Sequence, residues 1–438
     1  MTLPRPALLA LLAVLTAPAG VPGQAPPTPP PAGPPATTPR PDSGAEAELV
    51  LADGKTLKTW VLSADADGNL KTVGDAGAPS SVPCRSVAEV RFAAAAGGPP
   101  PFRVPRPEEV HVLLAGGDVL RGSIEPAEGD ALTVRSPGLG VVRLRLESVA
   151  EIRFPANRNA LPPKPPDTSQ GDVLAPVQGG IDVGSVTAVG RDGVVFFSKV
   201  FQQTETLPPA RLAAVYFTKL SEPPAEPDTL LAIVMLADGS SFRGRIEGFA
   251  GDRLRLVTLH RAPGGGAPLV LEAPAAKIAA VYFKNGDVVY ASDLEPVRTD
   301  EYPLAVRPAG RSDDLPFFRH RRDASVEGTP LRIRGREFRK GIGAHARSDL
   351  AFATEGRFRT FAATIGIDDE RGGAGSGVFV VKADGKEVYR SPLLRGTSPP
   401  GEIAVPVAKA KEVSLVVEFG DDGGVHAHAD WGGARFLK

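Results

Sequence analysis

The sequence predicts an all-β protein, built of tandem small β-barrel-like repeats followed by a C-terminal β-sandwich. Apolar and polar residues alternate over short segments, and clusters of Gly, Pro and Asp separate those segments. A segment that ends on a phenylalanine recurs along the chain, while helical periodicity is nearly absent. The recurring residues, 62, 63 and 66 positions apart, are Phe92, Phe154, Phe217 and Phe283.

Composition limits the partners that the chain can attract. With 438 residues it is long enough for about three domains. A hydrophobic content of 42% supports packed cores, and the formal net charge is only −1. Because a nucleic-acid-binding surface needs an excess of basic residues, we predict no nucleic-acid partner.

The first 45 residues predict an export signal and a spacer. Residues 1–23 form the signal peptide, with Arg5 before the apolar run Ala7–Ala17 and a small-residue cleavage region after it. The run is too short for a stable membrane anchor, and an interfacial or buried helix is the alternative interpretation. Residues 24–45 form a Pro-rich linker that favours extended polyproline II. We therefore expect a secreted, periplasmic or cell-envelope protein that does not span the membrane after cleavage.

Four repeats follow the linker, and each offers about five short strands. Their predicted bounds are 46–96, 107–158, 170–220 and 228–300. Asp238-Gly239, between two alternating runs, is a strong hairpin signal, and Pro208–Ala214 predicts one helical turn before a closing strand. The pattern loosely resembles SH3-like or Sm-like barrels, and we expect the repeats to act as a spacer or to dock other envelope proteins.

Cys84 is the only cysteine, so the chain forms no internal disulfide. It lies between Pro83 and Arg85 in a strand-like segment. We predict a buried or half-buried structural thiol.

The C-terminal region carries four motifs in a fixed order: Lys340–Ala346, Gly366–Glu370, Ala383–Tyr389 and His428–Trp431. Together they resemble the NPCBM family of carbohydrate-binding modules, over residues 312–438. The resemblance implies a β-sandwich of the galactose-binding, jelly-roll kind with a glycan or polysaccharide as partner. Nine strands are expected, at Leu331–Ile333, 342–345, Asp349–Ala353, Phe358–Ile365, Val378–Ala383, Lys386–Tyr389, Glu402–Val407, Glu412–Phe419 and Ala434–Leu437.

The predicted carbohydrate site centres on Trp431. A sugar presents an apolar face and a rim of hydroxyls, so its site needs an aromatic plate beside polar groups. Asp430 and His428 flank Trp431, and His345 and Arg347 join them if the loops converge. Two interpretations stay open: Trp431 stacks on the sugar, or it plugs the core while Asp430 ties down a loop.

Two metal sites are considered, although no cofactor is required. His426, His428 and Asp430 alternate, so a strand would place them on one face, where two imidazoles and a carboxylate suit a transition metal. The acidic turns suit calcium better, because calcium prefers oxygen ligands. The family resemblance implies a structural calcium at Asp368, Asp369 and Asp421.

The chain carries no signature of an enzyme. It has no nucleophile elbow, no zinc-protease motif and no phosphate loop. We predict an exported, non-catalytic carbohydrate-binding protein, with a structural or protein-interaction component of the envelope as the alternative.

Overall fold

The computed structural model describes residues 44–65, 68–74, 77–92, 106–126, 131–162, 164–218, 224–301, 318–424 and 426–438. The predicted signal peptide, and the predicted linker as far as residue 43, lie outside these residues. The described chain is almost entirely β-structure arranged in several sheets, none of them closed. The all-β prediction is therefore confirmed.

Each repeat contains five strands, as the alternation predicts. The first two repeats hold β1 (Ala45–Leu51), β2 (Thr56–Ala64), β3 (Asn69–Val73), β4 (Pro79–Pro83), β5 (Val87–Phe92), β6 (Glu109–Leu114), β7 (Val119–Ile124), β8 (Ala131–Ser136), β9 (Gly140–Arg145) and β10 (Val149–Arg153). The next two hold β11 (Asp172–Pro176), β12 (Asp182–Gly190), β13 (Gly193–Ser198), β14 (Gln203–Leu207), β15 (Leu212–Tyr216), β16 (Leu231–Leu236), β17 (Ser241–Ala250), β18 (Arg253–Arg261), β19 (Pro268–Pro274) and β20 (Ile278–Lys284).

All four repeats share one topology. The first strand pairs on one side with the second and on the other with the fifth, and the third and fourth strands follow as a meander. A 3₁₀ turn precedes each fifth strand, at Cys84–Ser86, Leu146–Ser148, Pro209–Arg211 and Ala275–Lys277. Among the described strands the fourth and fifth of a repeat do not pair, so the sheets are open where closed barrels were expected.

The closing phenylalanines are all buried, with 4, 0, 9 and 7% of their surfaces exposed in chain order. They belong to one hydrophobic cluster that runs through all four repeats. Cys84 is buried in the same cluster, where burial raises the pKa of its thiol to about 12. The repeats therefore form one packed body with a shared core and are not independent domains.

Neighbouring repeats pair through equivalent residues. Val90 of repeat 1 lies opposite Val281 of repeat 4, and Ile152 of repeat 2 lies opposite Val215 of repeat 3. The Tyr282 hydroxyl donates to Glu89 across the first of these contacts, at 3.1 Å. Pairing of the same position on both partners is the mark of a local two-fold relation. The four repeats are thus joined edge to edge as 1 with 4 and 2 with 3.

The C-terminal sandwich contains two antiparallel sheets and a hairpin. Its strands are β21 (Val288–Tyr290), β22 (Arg298–Glu301), β23 (Arg321–Arg322), β24 (Leu331–Ile333), β25 (Arg336–Phe338), β26 (Gly341–His345), β27 (Ser348–Ala353), β28 (Thr360–Ile367), β29 (Ser376–Ala383), β30 (Lys386–Arg390), β31 (Leu394–Arg395), β32 (Gly401–Pro406), β33 (Glu412–Phe419) and β34 (His428–Leu437). One sheet has the order β23-β26-β34-β28-β32 with β21 paired to β34, and the other β22-β27-β33-β29-β30 with β31 paired to β29. A separate hydrophobic cluster fills the space between them.

The sandwich begins earlier than the predicted residue 312. Strand β21 pairs with β34, and β22 pairs with β27, so residues 288–301 belong to the sandwich. The predicted fourth repeat, 228–300, included them. The pairing partner of β21 lies at the far end of the chain, and local sequence carries no mark of it.

The sandwich packs directly on repeats 1 and 4. Tyr282 and Tyr290 lie in a small core between them, with ring centroids 5.5 Å apart. The Tyr290 hydroxyl donates to the Ala88 carbonyl, and Arg85 forms a two-pronged ion pair with Asp287. These contacts tie the two parts of the described body together.

Candidate functional site

Trp431 lies in the core of the sandwich. None of its surface is exposed, and its ring packs edge-on against Phe361 and Phe379, with centroids 5.9 and 5.0 Å away. The expectation that Trp431 presents a face to a sugar is therefore wrong, and the alternative, a core plug, is the observed role. The physical reason is the alternation of side chains along a strand: Ala429 and Trp431 point into the core, whereas His428 and Asp430 lie on the outer face of β34.

His428 and Asp430 lie on the outer face of the same strand, as their spacing predicts. Both are nevertheless 1% exposed, because the hairpin β24–β25 and the segment before it cover that face. His345 on β26 lies directly opposite His428 in the register, and 5% of its surface is exposed. Arg347 is half-buried two residues further on. The structure thus brings His345 and His428 together and separates both from Trp431.

Glu370 fixes the orientation of the His428 ring. Its Oε1 contacts Nδ1 of His428, while Oε2 accepts hydrogen bonds from Ser325 and Thr329, at 2.6 and 3.1 Å. Burial alone would raise the pKa of Glu370, but the hydrogen bonds from His428 and Ser325 bring that pKa below its ordinary value. The Glu370 carboxylate is therefore ionised at neutral pH, and it holds the His428 ring through Nδ1.

Phe318 covers this pair of histidines and was missed by the sequence reasoning. Its ring lies 4.6 Å from that of His345, tilted by 31°, and 5.7 Å from that of His428. The two imidazoles are themselves 5.3 Å apart. Phe318 remains 39% exposed, so one part of the ring faces solvent. The available signal was an aromatic residue directly before the basic run Arg319–Arg322, a run that reads as an ordinary solvated face.

His345 is neutral at physiological pH. Burial lowers its pKa to about 4, and the nearby charges of His428 and Arg371 act in the same direction, against the contact with the Ala346 carbonyl. A neutral imidazole has one donor and one acceptor nitrogen. Nδ1 of His345 contacts the Ala346 carbonyl and Nδ1 of His428 contacts Glu370, and neither Nε2 atom forms a hydrogen bond with a described residue.

The acidic turn that was expected to bind calcium acts as a clamp. Asp368 accepts the amide of Arg332 at 3.0 Å, and Asp369 accepts the amides of Arg334 and Gly335. These bonds hold the hairpin β24–β25 against the sheet.

Asp421 lies elsewhere, bound to Ser376 and Arg395. The structure therefore does not bring Asp421 to Asp368 and Asp369. Within the part of the chain that the structure describes, no group of three or more His, Cys, Asp or Glu side chains is placed to hold a metal ion. That covers His426 as well, which is exposed and precedes β34.

Asp430 is a buried carboxyl group beside Asp368. Burial raises its pKa well above the ordinary value, and the adjacent charges of Asp368 and Glu370 raise it further. Oδ2 accepts the Arg332 amide at 3.1 Å, and Oδ1 is buried without a partner among the described residues. Burial therefore favours the protonated form of this side chain, which holds the hairpin β24–β25 through the Arg332 amide.

We expect Asp430→Asn to stabilise the protein more as the pH rises. Because the native pKa lies above the unfolded one, near 3.9, the native state of the wild type binds the extra proton and loses stability as the pH increases. Asn mimics the protonated form and escapes this loss. Denaturation of both proteins at pH 4 and pH 8 measures the effect: the advantage of the variant should be larger at pH 8. A difference in unfolding free energy that is the same at both pH values contradicts a raised Asp430 pKa.

The fold and the comparisons with known proteins agree on the class of the C-terminal part. Residues 289–437 match the NPCBM/NEW2 domain, the family that the four C-terminal motifs resemble. The matched range begins at β21, where the sandwich begins in the structure. The predicted resemblance is confirmed, while the SH3-like character of the repeats stays a prediction.

Individual relatives match limited parts of the present chain. Over 114 residues the chain is 38% identical to a Renibacterium salmoninarum protein named "putative endo-alpha-N-acetylgalactosaminidase". This segment is 26% of the present chain, and the chain spans 8% of that relative's length. Among solved structures, a CBM51 module from Clostridium perfringens GH95, in complex with methyl-galactose, is similar at 26% identity and a TM-score of 0.30. It covers 34% of this chain and 99% of its own.

A second solved structure holds the CBM51-2 and INT domains of Clostridium perfringens ZmpB. It is 24% identical, with a TM-score of 0.29, and covers 42% of this chain and 37% of its own. Among the described residues, no helix has the length and apolar character needed to cross a membrane.

Proposed function

We propose that the chain is a non-catalytic glycan-binding protein and that the sugar docks on Phe318 at the edge of the sandwich. The observation that carries the proposal is an exposed aromatic ring seated on two buried imidazoles, within a domain of a carbohydrate-binding family. The apolar face of a sugar ring would stack on Phe318. This transfers the aromatic role that the sequence assigned to Trp431 to the residue that reaches solvent.

The histidines supply the polar half of the proposed site. Nε2 of His345 and Nε2 of His428 point to no described partner, and each would meet a sugar hydroxyl. Arg347, half-exposed and close to His345 in sequence, would donate to a further hydroxyl. Asp430 and Glu370 act indirectly, by holding the hairpin and the His428 ring. Because the pKa of His345 is about 4, this ring is neutral from pH 6 to pH 8, so its own titration should not change the affinity in that range.

The site supports binding better than catalysis. A glycosidase needs two carboxyl groups on either side of the scissile bond. Here the carboxyl groups nearest the imidazoles are buried and occupied by hairpin amides and hydroxyls. We therefore propose recognition without turnover, at the cell envelope or outside the cell, as residues 1–23 lead us to expect.

The experiment is a glycan array probed with the full chain, followed by calorimetry on the best ligand. Phe318→Ala should lower the affinity by about tenfold or more, as truncation of a central aromatic contact does. Because Phe318 is already partly exposed, the melting temperature should change little. Phe201→Ala is the matched control, since Phe201 is 66% exposed in repeat 3, away from the sandwich. It should leave glycan binding unchanged.

Two results would reject this site. One is a Phe318→Ala variant that binds glycan as tightly as the wild type. The other is an equal loss in Phe201→Ala, which would place binding outside the sandwich or show that it is non-specific.

A further inference from the structure

A second cleft lies between the repeats and the sandwich, away from Phe318. Its volume is about 610 Å³, within the range of 300–1,000 Å³ that is common for small-ligand sites. One wall is formed by β1 and β5 of repeat 1. The other is the outer face of the sandwich sheet around Phe338 and Gly432–Gly433.

The sandwich wall of the cleft is shaped by a close approach. A Cβ atom on Gly432 would lie 2.8 Å from the Phe338 ring, so glycine is required for the ring to rest flat on β34. The Arg336 guanidinium covers the same ring at 4.7 Å, and Tyr282 and Tyr290 form the floor beside it. The cleft thus combines apolar ring surface with charged groups.

The carboxylates of the cleft are mostly neutralised by their neighbours. Arg91 pairs with Glu89 at 2.6 Å and contacts Glu48. Arg336 pairs with Glu402 at 2.7 Å, and Glu337 contacts Arg332, which lies outside the cleft. Four of the five lining acids therefore already have a cationic partner, and Glu46 is exposed at the rim.

Two arginines of the cleft have no such partner. Arg339 makes no hydrogen bond or ion pair with any described residue. Arg435 donates only to the carbonyls of Gly433 and Ala52, at 3.1 and 3.5 Å, and its Nε is buried without a partner among the described residues. These guanidinium groups lie beside the two floor tyrosines. Burial raises the pKa of Tyr282 and of Tyr290, and the charges of Arg339 and Arg435 respectively oppose that rise.

We propose that this cleft binds the carboxylate of an acidic sugar, a uronic-acid residue of a polysaccharide, between Arg339 and Arg435. Guanidinium groups bind carboxylates through paired, charge-assisted hydrogen bonds. The ring of the same sugar would lie along the Arg336 guanidinium, which covers the buried Phe338 ring. The anion site follows from the cleft itself, and only the choice of a sugar as carrier of the charge rests on the proposed function.

Calorimetric titration of the full chain with tetragalacturonate tests the proposal. The matched ligand is the methyl ester of the same tetramer, which keeps the sugar and removes the charge. The wild type should bind the acid, more weakly as salt is added, and should not bind the ester. Arg339→Gln should lower the affinity about tenfold or more, because a hydrogen bond to a charged group is lost. Since Arg339 supports no described contact, its variant should keep the wild-type melting temperature.

Two control variants separate this cleft from the Phe318 site. Arg334→Gln removes an exposed arginine from the same hairpin outside the cleft and should bind the acid normally. Phe318→Ala should also bind it normally, whatever its effect on neutral glycans. Arg435→Gln should weaken binding as Arg339→Gln does. The proposal is overturned if the wild type does not bind the acid, if the ester binds equally, or if Arg339→Gln retains full affinity.

Discussion

Trp431→Ala should lower the free energy of unfolding by about 3–5 kcal/mol, the usual cost of truncating a fully buried aromatic residue. The ring is completely buried between the two sheets and contacts Phe361 and Phe379 edge-on. Alanine would leave a cavity in a core that closes only partially, so both transfer energy and packing are lost. Chemical denaturation followed by circular dichroism measures the change without relying on the fluorescence of the residue removed.

Trp431→Phe is the control for this result. The indole nitrogen is buried and has no hydrogen-bond partner among the described residues, so phenylalanine removes volume and no described hydrogen bond. The phenylalanine variant should therefore cost clearly less than the alanine variant. A Trp431→Ala protein of near wild-type stability would be incompatible with a ring packed in the core.

The local alternation of residues predicts which segments become strands and leaves their partners open. Two of the nine expected strands, Leu331–Ile333 and Glu412–Phe419, have the predicted bounds, and the other seven differ at one or both ends. The short strands β21, β22 and β23 were not predicted, since two to four residues show no periodicity of their own. These strands form because the edge of another strand offers them hydrogen bonds. The sequence of one segment alone does not predict such pairing.

The closing strands of the repeats carry a sequence difference that predicts which repeats pair. Repeats 1 and 2 close on Glu-Val-Arg-Phe and Glu-Ile-Arg-Phe, whereas repeats 3 and 4 both close on Ala-Val-Tyr-Phe. In the structure each interface joins one repeat of each kind, with Tyr282 donating to Glu89 and Tyr216 lying opposite Glu151. The complementary exchange of an acid for a tyrosine donor was the signal. Grouping the four closing sequences as one motif hides this difference.

The alternation of side chains along β34 predicts which candidate-site residues share a face of the strand. Placing His428 and Asp430 on one face of β34 was sound, and the same rule sends Trp431 to the opposite face. What the rule cannot give is which face becomes covered. Asp430 is buried because the hairpin β24–β25 covers it, and Phe318, which lies far from β34 in sequence, reaches the two histidines only in the folded chain. Neither contact between distant segments leaves a pattern in the local sequence.

Asp118→Ala should lower the free energy of unfolding by about 3–5 kcal/mol, as removal of one partner from a buried ion pair does. Asp118 lies in the β6–β7 turn of repeat 2, with 2% of its side chain exposed, and joins that repeat to repeat 4. Oδ1 accepts from Arg243 at 2.8 Å, and Oδ2 contacts Nε2 of His260 at 2.8 Å. Without the carboxylate, the His260 ring loses its partner, and Arg243 keeps only the more exposed Glu226.

Asp238→Ala is the matched control, because Asp238 lies in the corresponding turn of repeat 4 and reaches back to repeat 2. It accepts from the Ser136 hydroxyl at 2.9 Å, is only half-buried and forms no ion pair with any described residue, so its loss should cost less. A double-mutant cycle with Arg243→Ala identifies the cause. If the cost arises from an arginine that has lost its buried partner, the double variant should be more stable than the sum of the single losses implies. Additive losses would instead mean that Asp118 acts by packing alone, and equal costs for Asp118→Ala and Asp238→Ala would contradict the buried ion pair as the lock between these two repeats.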